Sequence, residues 1–141
     1  MTTTSLSTRR HESAHAAMAH WLDVRVNSIS AVFDGTNFGE VRHAYCDVAK
    51  QILVILAALL EWPGDLPEWP ISQYETADEQ DLHNLITAHH ISEEQYRQLT
   101  LIALTIASGP DYQRLLTITA AALRRQPVID HDLFHEIAAV A

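Results

Sequence analysis

Cysteine is nearly absent from this chain. Cys46 is its only one among 141 residues, so an intrachain disulfide, a zinc finger built on paired cysteines and a CxxC redox motif are all excluded. Glycine and proline are scarce, at four and five residues, which excludes collagen-like and Pro/Gly-rich low-complexity chains. Lysine occurs once, at Lys50, and nine basic residues stand against 18 acidic ones for a formal net charge of -9. Phosphate is repelled by such a surface, so nucleic acid is excluded as the main partner. Long hydrophobic runs are missing too. The longest, Ile52 to Leu60, has nine residues, far short of the ~20 that span a membrane as a helix. The opening MTTTSLSTRR lacks the apolar stretch of a secretory signal. The expectation is one acidic, cytoplasmic domain over residues 1–141, with a 48% hydrophobic composition sufficient for a real core.

What the chain does have is nine histidines, the commonest metal ligand and a frequent proton carrier. Their placement depends on the elements around them. Thr8 to Asp23 is rich in Ala, Met, Leu and Trp and free of Gly and Pro, which predicts a helix capped by Ser5 or Ser7. Val24 to Tyr45 holds two β-forming stretches around Asp34-Gly35-Thr36-Asn37, which predicts a β-hairpin or a small sheet. Asp47 to Trp62 predicts a central helix, followed by a loop with Pro63, Pro67 and Pro70. Thr76 with Glu79 and Ser92 with Gln95 are capping-box signatures. They open helices to about His90 and Ser108. A helix from Pro110 to Arg125 and a last one capped by Asp130 complete a mainly α reading of α+β type.

His11-Glu12-Ser13-Ala14-His15 is an HExxH pattern on the first predicted helix. Residues i and i+4 share one helix face, so both imidazoles can reach one zinc ion at about 2.0–2.1 Å. Glu12 can reach a water on the open side of that ion, take its proton and later deliver a proton to a leaving amine. The small spacers Ser13 and Ala14 suit close helix packing. A catalytic zinc takes a third protein ligand. The HExxHxxGxxH pattern does not supply it, since Met18 and Trp21 occupy its last two positions and His20 is turned off the ligand face. Two carboxylates remain as candidates, Glu61 at the end of the second helix and Asp81 near the start of the helix opened by Thr76. Among the other histidines, His83, His89 and His90 read as residues facing away or exposed. His131 and His135 repeat the i, i+4 spacing on a solvated face. Trp62 and Trp69 suit either a cleft or a loop anchor, and Cys46 reads as a small buried hydrophobe.

Arg10 to Leu22 resembles the zinc helix of the FtsH-type ATP-dependent metalloproteases, in which HEAGH is followed by small and apolar residues. Val26 to Ser30 is similar to the family's next strand. Phe38, Gly39, Glu40 and Val41 are similar to the edge strand that holds substrate. Ile55 to Glu61 is similar to the helix with a Gly-Arg-x-Ala-Glu stretch, and Ala77 to Leu82 to a Gly-Ala-x-Asn-Asp-Leu stretch. The resemblance covers roughly residues 9 to 90. It departs at Ala14, Ala57-Ala58 and Ala77-Asp78, in a longer loop before Asp81, and in the family's ATPase and membrane segments, which have no counterpart. It implies a zincin-like helical domain with a small sheet after the HExxH helix. His11, His15 and Asp81 would hold Zn²⁺ and Glu12 would be the base. Apart from the resemblance, Glu61 reads either as a partner that orients a ligand imidazole or as a helix-end carboxylate on the surface. The substrate would be a peptide or protein, cleaved without a built-in motor, either alone, with a separate ATPase or in a homo-oligomer. The competing readings are a catalytically silent zincin-like binding or regulatory module and a helical bundle with an accidental HExxH.

Overall fold

The computed structural model describes residues 2–3, 5–33, 39–72 and 74–141. Helix α1 runs from Leu6 to Trp21, and the Ser5 hydroxyl accepts the Thr8 amide to cap it. Its Ala14, Ala16, Ala17 and Ala19 are fully buried. Side chains that small let α1 lie close against α2 (Val48–Glu61) and α5 (Pro110–Arg125), its two main packing partners. Helix α2 is capped by the Asp47 side chain on the Lys50 amide at 3.0 Å, a contact worth about 1 kcal/mol. It is the centre of the core. Eight consecutive residues, Ile52 to Leu59, are buried, and each fully buried Leu or Ile contributes ~1.5–3 kcal/mol.

The sheet lies beside these helices. Strand β2 (Val26–Ser30) is its middle strand. It pairs antiparallel with β4 (Glu40–His43) on one side and with β5 (Val128–Asp130) on the other. Ile29 sits opposite both Val41 and Ile129 and is fully buried. Among the described residues β4 has no second neighbour, so it is an edge strand. The expected hairpin is therefore present as β2 and β4, while its turn at residues 34–37 lies outside the described residues. Two pairings were not legible beforehand. Val32–Phe33 forms a short strand β3 with Thr2–Thr3, β1. The segment after Pro127, expected to be all helical, contributes β5. A three-residue strand is too short to show a period.

The remaining helices are α3 (Ala77–Ala88), α4 (Glu93–Ala107) and α6 (His131–Val140). Thr76, Ser92 and Asp130 cap them as expected, and the Ser92–Gln95 capping box is complete. Between α2 and α3 the Pro-rich loop is tied to α4. Trp69 packs against the Tyr96 ring at 5.6 Å, and the Tyr96 hydroxyl donates to the Pro67 carbonyl at 2.6 Å. Burial pushes the Tyr96 phenol up to about 12. Trp69 is thus a loop anchor. No helix is long and apolar enough to cross a membrane among the described residues.

Candidate metal centre

One face of α1 presents His11, Glu12 and His15 to a cleft of about 990 Å³. Glu12 and His15 are buried, and the His11 side chain is 12% exposed. Their ligand atoms all lie within 4.8 Å of one another, so the three residues form a group able to hold a metal ion. The two imidazoles stand edge to face, 5.1 Å apart at 89°.

Their orientation comes from α2. The His15 Nδ1–H donates to the Val54 carbonyl at 3.2 Å, and the His11 Nδ1–H donates to the Trp62 carbonyl at 3.0 Å. Trp62 is the C-cap of α2, where a carbonyl lacks a helical partner; the His11 ring supplies one. With both Nδ1 atoms committed as donors, the Nε2 atoms turn toward the cleft, the arrangement typical of metal-bound histidine.

The third group is Asp78. Its Oδ2 lies 2.5 Å from His11 Nε2 and 3.1 Å from His15 Nε2. This corrects the expectation at Asp81. Helix α3 starts at Ala77 with Thr76 as its cap, and the Thr76 hydroxyl accepts the Glu79 amide at 3.1 Å. Asp78 therefore occupies the first turn, where the helix dipole favours a carboxylate. Asp81 is nearly one turn further along and lines the same cleft without touching the rings. Glu61 is likewise not the imidazole partner. It accepts from Arg10 Nε at 2.7 Å, and main-chain carbonyls orient the rings instead.

Burial lifts the Asp78 carboxyl, but hydrogen bonds from His11 and His15 outweigh it and hold the group well below the usual carboxylate range. Burial lowers the His15 imidazole, yet the Asp78 contact and the Glu12 charge leave it raised. Burial raises Glu12, opposed by the nearby histidines. Two neutral rings with Nδ1–H donors would aim two nitrogen lone pairs and a carboxylate oxygen at one another. Protons or a cation must sit between them, and a divalent ion suits that donor set.

The expected substrate edge borders the same cleft. Gly39, Glu40 and Val41 line it, while Phe38 lies outside the described residues. Trp62 also lines the cleft, with its ring half-exposed and 6.3 Å from that of His11. His83 faces away and donates to the Ile71 carbonyl. Besides Asp78, the carbonyls of Val54 and Trp62 are site components absent from the sequence reading, since main-chain groups carry no residue signal. Comparison of the chain with family models, with curated proteins and with solved structures found no match.

Proposed function

We propose that this chain is a zinc metallopeptidase that hydrolyses peptide bonds. The observation that carries the reading is the meeting of His11 Nε2, His15 Nε2 and Asp78 Oδ2 beside the buried Glu12. Two nitrogens and one oxygen from three side chains match a catalytic zinc set, which leaves a position open for reactants. His11, His15 and Asp78 would hold the ion, which when bound supplies Lewis acidity toward a carbonyl and acidity toward water.

The remaining chemistry belongs to the chain. Glu12 accepts a proton from the attacking water on its carboxylate and passes one to the departing amine nitrogen. Strand β4, an edge strand among the described residues, offers main-chain groups to an extended peptide, which can add as a further strand along Glu40 and Val41. The Val54 and Trp62 carbonyls hold the rings so that no rotation is needed as the reaction proceeds. FtsH-type resemblance supports the same assignment of roles, with Asp78 in place of Asp81.

The test is metal content and peptide cleavage on purified protein. We expect one zinc per chain and cleavage of unstructured peptides that is lost on chelation and restored by zinc. Protein that takes up no stoichiometric metal would overturn the reading.

A further inference from the structure

Gly39 immediately precedes β4, directly against Glu12. A Cβ at position 39 would lie 2.8 Å from Glu12 Cγ, 3.1 Å from Glu12 Cδ and 2.9 Å from the Ser30 carbonyl oxygen. Among the described residues the glycine with positive φ is Gly64. Backbone conformation therefore does not require glycine at 39; space does. From this contact we infer that Gly39 is a positioning residue for Glu12. Its bare Cα lets the acid's stem lie flat on the edge strand and fixes where the carboxylate ends.

The inference rests on the peptidase reading and deepens it. The strand that would align the peptide is also the wall against which the base rests. Base and substrate thus share one reference surface, and displacement of either by about 1 Å costs on the order of 100-fold in rate. A Glu side chain has three rotatable bonds, so a contact along its stem limits where its carboxylate can go. The wall at Gly39 supplies such a contact.

The experiment combines kinetics with a thermal double-mutant cycle. In Gly39→Ala the ligands are untouched, so one metal per chain should remain. The value of kcat should fall on the order of 100-fold, with KM for a peptide little changed. Glu12→Ala removes both carbon atoms that crowd position 39. The Tm loss caused by Gly39→Ala should therefore be clearly smaller in the Glu12→Ala background than beside Glu12. Equal losses in both backgrounds would show that the glycine serves only the Ser30 contact and would overturn the inference. So would an unchanged kcat, or loss of metal. If Gly39→Ala alone fails to fold, folding in the Glu12→Ala background supports the inference and failure in both refutes it. Zinc-loaded wild-type protein that cleaves no peptide would refute the peptidase reading, and the thermal cycle would still decide the contact.

Discussion

Two histidine pairs in this chain have the same i, i+4 spacing and opposite fates. His11 and His15 are turned edge to face, with each Nδ1 held by a carbonyl of α2 and both Nε2 atoms on Asp78. His131 and His135 lie on α6 with rings stacked at 5.9 Å and 12°. The adjacent Asp132 meets only His131, at 3.1 Å, and is itself solvent-exposed. Helical spacing brings two rings to one face in both cases. A neighbouring element that dictates ring rotation, and a third group from elsewhere in the fold, distinguish the first pair. Spacing is the cheap half of a metal site; orientation is the expensive half.

The comparison breaks most visibly when a ligand is removed. His15→Ala or Asp78→Ala should weaken metal binding by about 100-fold or more, beyond the range typical of outer partners. His131→Ala and His135→Ala should leave stoichiometry and affinity unchanged. Equilibrium dialysis with metal analysis reads both. Next comes Glu12→Gln, which should keep the metal and lower peptide hydrolysis by about 10²–10⁴-fold, the usual contribution of a general base. Loss of metal in that variant would instead make Glu12 a ligand.

Metal removal should be smaller in effect but visible in melting. An ion held as proposed on His11, His15 and Asp78 would tie α1 to α3. At a free concentration of 100 times Kd it stabilises the fold by about 2.7 kcal/mol, a Tm change on the order of 10 °C in a chain of this size. The same shift is expected in His131→Ala. The smallest effect belongs to Asp81→Asn. This carboxylate lines the cleft beside Asp78 without contacting the rings, so the variant should retain one metal per chain. Loss of the metal there would restore Asp81 to the ligand set.

Local signals carried well from sequence to structure. The HExxH helix, the caps at Ser5, Thr76, Ser92 and Asp130, and the Gly109-Pro110 break all concern chemistry within about four residues. The carboxylate that meets the two rings did not carry. Asp78 and Asp81 share a helix face three residues apart. The choice between them depends on how the loop after α2 delivers α3, which the Trp69–Tyr96 packing and the Pro67 contact help set from a distance. Strand β5 was hidden for a related reason: Val128–Asp130 becomes a strand only because β2 is there to receive it.

The ring holders Val54 and Trp62 act through oxygen atoms that every amino acid possesses. Evolution can therefore rewrite the side chain at position 62 without disturbing the grip on His11. Mutational scanning should find that position tolerant in metal uptake even though it borders the cleft. The framework that aims the ligands is written in the path of the chain rather than in its letters.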